Sequence, residues 1–95
     1  VEILEVFIHT SRSNIEALQE AFEDKDESTI SNICHQMQPM LRQLRAIKIA
    51  NQLLEYERKP KSIFTNTEDF PRLKLEIKQL LGEIESSLNN LNRIS

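Results

Sequence analysis

Ninety-five residues, 39% of them hydrophobic and 28% charged, are enough for one domain with a single core. One Gly and three Pro are too few turn-formers to punctuate many short strands, so helices are favoured. A net charge of −3 argues against bulk nucleic-acid binding, the single Cys34 excludes an internal disulfide, and two His with one Cys do not make a structural zinc site.

No apolar run is long enough to cross a bilayer and no signal-peptide pattern is seen, so direct membrane contact is not expected. The chain starts at Val1 rather than Met, and residues 1–95 are expected to be one helical domain excised from a larger protein.

Leu4, Ile8, Ile15, Leu18 and Phe22 recur at helical spacing, with Ser11 in the missing seam position. Ser13 and Glu16 have the form of a capping box, so a second helix could start there; one bent helix and two helices both fit. Asp24 to Asp26 is a polar break, with Asp26 as N-cap of the next helix.

At about 100° per residue, Ile30, Ile33, Cys34, Met37, Met40, Leu41 and Leu44 fall within an arc of about 120° centred opposite His35. Ser28, Ser31, Asn32, Gln38, Pro39 and Arg42 lie on the histidine side. No Gly or Pro follows before Tyr56, yet the phase switches: Ile47, Ala50, Leu53 and Leu54 fall on the formerly polar side. One straight helix cannot bury both faces, so a break is predicted near Arg45–Ile47 and a new helix over 46–57.

Arg58 to Asp69 is a polar connection, with Ile63 and Phe64 tucked onto the core. Thr67, Glu68, Asp69 and Pro71 then form a helix start, with acids at the positive dipole end and Pro in the first turn. Leu73, Ile77, Leu80, Leu81, Ile84, Leu88 and Leu91 give a long final amphipathic helix. The fold class is all-α: an antiparallel up-down four-helix bundle with an additional short N-terminal helix.

His35 is the residue that points to chemistry. It sits mid-helix on the solvated side, and imidazole is a neutral nucleophile near pH 7 that attacks an activated phosphoryl group without a separate base. From Ser28 to Leu54 there is no Asp or Glu, whereas Arg42, Arg45 and Lys48 are present. Gln38 and Arg42 share the histidine's face and could donate to phosphoryl oxygens. Pro39 removes the helix hydrogen bond to the carbonyl of His35, at a cost of about 3 kcal/mol, and offers a flat approach for a partner. His9, the Met37/Met40/Leu41/Leu44 stripe and Cys34 read as surface or packing residues.

The stretch Ile30 to Ala46, ISNICHQMQPMLRQLRA, resembles the active helix of histidine-containing phosphotransfer (HPt) domains. In those the pattern is apolar–x3–A–H–x–L–K–G–x4–L–G–A. Ile30, His35, Leu44 and Ala46 match, Cys34 stands at the small position and Met37 at the apolar one. The usual Lys is Gln38, the usual Gly is Pro39 and the later Gly is Arg45. ALQEAFEDKD looks like the family's entry helix and QLLEYE like its "LxxLE" helix. The H-x-M-x-P-M-x-R-Q-L form is similar to modules at the C-termini of bacterial hybrid two-component sensor histidine kinases, notably those of Bacteroidetes.

The resemblance implies a cytoplasmic, monomeric phosphorelay domain, whose parent would be an inner-membrane sensor. It would have no autonomous catalytic activity and no cofactor of its own. His35 would take a phosphoryl group through Nε2 from a receiver-domain aspartate of a response regulator and pass it to another. The receiver would supply the carboxylates and the Mg²⁺. Ser31, Asn32, Gln36, Gln38, Pro39 and Arg42 would stabilise the phosphoryl group or dock the partner. Two other readings are a silent helical module that docks a partner without accepting phosphate, and a dimerising kinase module.

Overall fold

A computed structural model describes residues 2–65 and 68–94, with side chains over 5–65 and 68–90. The chain is all-helical, in the order α1 (Glu2–Glu23), α2 (Glu27–Gln43), α3 (Ile47–Arg58), α4 (Ser62–Thr65) and α5 (Asp69–Ile94). α1 packs on α2 and α5, α2 on α3, and α3 on α5, with α2 and α3 sharing the most extensive interface. The molecule is elongated, 47 × 22 × 21 Å.

α1 is one unbroken helix, so neither a second helix at Ser13 nor an additional short N-terminal helix is found. The reason is its continuous seam: Phe7, Ile8, Ser11, Ile15 and Leu18 are all buried, and no Gly or Pro interrupts them. Ser13 and Glu16 are exposed on the opposite side, where a capping-box sequence without a chain break caps nothing. The extra short helix is instead α4, whose Ile63 is buried and whose Phe64 stacks on Phe22 with ring centroids 5.4 Å apart. Phe22 also meets Phe70, the first buried residue of α5, at 4.9 Å.

α1 and α2 stop in the same way. Past α1, Lys25 N–H donates to Phe22 O (3.3 Å) and Asp26 N–H to Ala21 O (2.9 Å); past α2, Arg45 N–H donates to Arg42 O (3.0 Å) and Ala46 N–H to Leu41 O (2.9 Å). This paired closure satisfies the last carbonyls of a helix and forces its turning residue into the left-handed region, usually occupied by Gly. Here the turning residues are Lys25, at φ 56°, and Arg45, at φ 63°. Asp26 caps α2 as expected, accepting from Thr29 N–H (3.2 Å) and Thr29 Oγ1 (2.6 Å). Those bonds to its charged form hold the Asp26 carboxyl below its ordinary value.

The phase switch predicted near Arg45–Ile47 is therefore a real turn. Before it, Ile30, Ile33, Cys34, Met37 and Leu41 are buried; after it, Ala50, Leu53 and Tyr56 are. Met40, Leu44, Leu80 and Ile84 are partly buried against the same core. α5 buries Leu73, Ile77, Leu81 and Leu88 at helical spacing. Leu4, Thr67 and Leu91, also expected in these elements, lie outside the described side chains. Among the described residues no helix is long and apolar enough to cross a membrane.

Candidate functional site

The connection between α2 and α3 is only Leu44–Ala46, so the two helices fold back on each other and decide what faces His35. Hydrogen bonds between them join residues ever farther apart in sequence with distance from the turn. Arg42 and Asn51 are 9 apart, Gln38 and Glu57 19, His35 and Glu57 22, and Ser31 and Glu57 26. This is the pattern of a helical hairpin.

His35 is held out of the core because its neighbours take the inward positions: Cys34 and Met37 are 0% and 5% exposed, whereas the His35 side chain is 73% exposed. Its Nδ1 lies 3.0 Å from Glu57 Oε2. A carboxylate only accepts, so Nδ1 carries the proton of this bond and the remaining nitrogen, Nε2, holds the free lone pair of the neutral ring. Nε2 has no hydrogen-bond partner among the described residues.

Glu57 gathers the polar groups of α2. Its Oε1 accepts from Gln38 Nε2 at 2.7 Å, and its backbone carbonyl accepts from Ser31 Oγ at 2.9 Å. Gln38 Nε2 also donates to the carbonyl of Cys34 at 3.0 Å. The amide orientation follows from these partners, since the opposite one would set its oxygen against two acceptors. Gln38 is 8% exposed, and both of its N–H bonds are committed. In this structure Gln38 tethers Glu57, with both N–H groups bonded inside the protein. The helix-face argument had placed it correctly on the histidine side, but α3 covers that part of the side.

The other candidates remain outside. Asn32, Gln36, Pro39 and Arg42 are exposed, and Ser31 is half-buried under Glu57. Arg42 donates through Nη1 to Asn51 Oδ1 at 3.3 Å and keeps further N–H groups for other partners. It stands two turns from His35, about 10 Å along the axis. Pro39 leaves α2 continuous to Gln43. Gln36 also lines an open apolar groove between α1 and α2, with Val6, Phe7, Thr10, Met37 and Met40. Arg45 and Lys48 are exposed at the turn and early in α3. The acid-free stretch of sequence is thus not an acid-free site, because the fold returns Glu57 to the imidazole.

Beside His35, Cys34 is fully buried. Burial, with the nearby charge of Glu57, pushes its thiol up to about 12, which keeps it protonated and out of nucleophilic chemistry. Tyr56, packed as expected, is likewise pushed up to about 12, chiefly by burial. Among the described residues no group of His, Cys, Asp and Glu is arranged to hold a metal ion. No protein-family model, curated protein or solved structure matches the chain.

Proposed function

We propose that this chain is a phosphotransfer domain of the HPt type, in which His35 carries a phosphoryl group between receiver-domain aspartates. The observation that carries the reading is the state of one side chain. His35 is 73% exposed on a helix, bound at Nδ1 and without a hydrogen-bond partner at Nε2 among the described residues. An imidazole in this state is a nucleophile presented to another protein. The ring of contacts α1–α2–α3–α5 supports an antiparallel four-helix bundle as the scaffold, with α4 an appendage between α3 and α5.

In the proposed reaction the Nε2 lone pair attacks the phosphorus of an aspartyl phosphate. The P–O bond breaks and its electron pair leaves with the receiver's carboxylate. Mg²⁺ and the acidic pocket belong to the receiver. Arg42 is the cation on the histidine side of α2 and, with exposed Asn32, Gln36 and Pro39, forms the surface a receiver would approach. Arg42, exposed on this face, suits an acidic partner, although Glu57 lies beside the imidazole.

The alternative is a helical module that docks a partner without accepting phosphate. It is favoured by one observation, the commitment of both Gln38 N–H groups inside the protein, which leaves no amide donor at that position for a phosphoryl oxygen. Transfer from a phosphorylated receiver to the wild type and to His35→Gln separates the two. Acid-labile, base-stable label on the wild type alone supports phosphotransfer. Partner binding that survives in both, without label in either, supports the docking module.

A further inference from the structure

α1 and α5 meet antiparallel, with Arg12 paired to Glu85 at 2.9 Å and Lys74 Nζ donating to Gln19 Oε1. Between them runs a groove of about 510 Å³, lined by Arg12, Ile15, Glu16, Gln19, Lys74 and Lys78. Cations outnumber acids along it, in a chain whose net charge is −3. We propose that this groove docks a short acidic helical segment of a partner protein, which sets two carboxylates one turn apart against Lys74 and Lys78. The proposal does not depend on the phosphotransfer reading, because it concerns a different pair of helices.

The cations stand together at a cost to the helix that carries them. Lys74 and Lys78 are four residues apart on α5, about 6 Å along its axis, and like charges at that spacing weaken a helix. No carboxylate lies within ion-pair distance of either among the described residues. Lys74 is held instead by the neutral amide of Gln19 and by the ring of Phe70, whose centroid is 5.1 Å from its nitrogen. Gln19 is itself oriented, since its Nε2 donates to Glu23 Oε1 at 3.0 Å and leaves the oxygen to Lys74. The Lys74 ammonium is thus held in place with N–H groups to spare, which reduces the ordering that binding a carboxylate would require.

The borders of the patch define its occupant. Glu20 and Glu23 are exposed beyond Gln19 at one end, and Glu85 lies beyond Lys78 at the other. A nucleic-acid backbone or a membrane surface extends past both ends and would meet those acids, whereas a short segment with its acids on one face does not. Ile15 at the floor gives the segment an apolar surface to cover, and Glu16 calls for a neutral or basic residue opposite it. The helices contact one another in the ring α1–α2–α3–α5, and His35 is bonded across the α2–α3 pair. An occupant between α1 and α5 therefore leaves the imidazole free, so the domain can hold one partner while His35 serves another.

The probe is a synthetic amphipathic helix of about four turns, with Glu at every fourth position beside a Leu stripe, titrated into nitrogen-15-labelled protein. Saturable shifts should centre on the amides of Arg12 to Gln19 and Lys74 to Lys78. Lys74→Glu combined with Lys78→Glu should weaken binding roughly tenfold, as two exposed ion pairs are lost and reversed. Lys78→Glu alone, at an exposed side chain, should weaken it in the same direction and guards against a misfolded double variant; circular dichroism checks both. Phosphotransfer to His35 should be unchanged in these variants, and its absence in the wild type would leave this test intact.

Shifts scattered over the surface or centred on Arg42 would overturn the proposal, as would wild-type affinity in both folded variants. Tighter binding of anionic phospholipid vesicles or of single-stranded RNA than of the peptide would also overturn it, and would assign the patch to a membrane or to nucleic acid.

Discussion

Arg45 turns the chain between α2 and α3 at φ 63°, a region in which an L-residue sets its Cβ against a neighbouring carbonyl. That conformation costs about 1–2 kcal/mol for a residue with a side chain. Glycine avoids the clash but loses about 0.5–1 kcal/mol more conformational entropy on folding than alanine does. Arg45 is exposed, and the bonds of the turn, Arg45 N–H to Arg42 O and Ala46 N–H to Leu41 O, are backbone bonds that Gly would keep. Arg45→Gly should therefore stabilise the domain by about 0.5–1 kcal/mol, which for a chain of this size raises Tm by roughly 2–8 °C. Arg45→Ala is the internal control, because Ala retains the Cβ and should gain little. Urea and thermal unfolding followed by circular dichroism would read both. A destabilised Arg45→Gly, or an Arg45→Ala that gains as much, would refute the strained-turn argument.

Gln38→Ala should cost about 1–2 kcal/mol in urea unfolding, because it removes a charge-assisted bond and a neutral one while water can reach part of Glu57; a neutral result would mean that the amide is not held as described. Gly82 lies within α5, and a Cβ built on it meets nothing within 4 Å, so Gly82→Ala should stabilise by about 1 kcal/mol; destabilisation would show that the space is not open. Cys34 should resist thiol reagents in the native protein and react at a rate set by unfolding. The sign of its pH effect follows: burial lifts its native pKa to about 12, so its contribution is complete below the unfolded value of about 8.5 and is lost as pH rises from there toward 12. Stability that does not fall more steeply over that range than in Cys34→Ala would contradict it.

Much of the scaffold was legible because burial leaves a period in the sequence. The switch of phase after Leu44 marked the turn at Arg45, the polar run before Asp26 marked an N-cap, and Ile63 and Phe64 were apolar residues in a connection with nowhere to go but the core. The Ser13–Glu16 pair misled because a capping box carries information only where a helix begins, and the buried seam from Phe7 to Leu18 has no gap. Phe7 widens the apolar seam of α1 beside Ile8, and Phe70 extends the spacing of α5 by one turn before Leu73. His35, Asn32, Gln36, Pro39 and Arg42 were placed on the exposed side by one helix's geometry alone.

Gln38 and Glu57 were not legible in that way, since their roles belong to two helices at once. A helical wheel divides α2 into an apolar and a polar side, but it cannot say which part of the polar side a neighbour will cover. The hairpin was the available signal. With a turn centred on Arg45, His35 lies ten residues before it, and the residues about ten to twelve after it are the ones that can reach the imidazole; Glu55 and Glu57 both fall there. The side-chain period of α3 then chooses between them, since Tyr56 and Leu53 face the core and Glu57 lies on the flank toward α2. The consequence for experiment is that the hairpin and the histidine can be perturbed separately. Ser31 binds the backbone carbonyl of residue 57, not its side chain, so that bond survives any replacement of Glu57. A change at position 57 that altered the imidazole while α2 stayed docked on α3 would locate the effect in the carboxylate rather than in the packing of the helices.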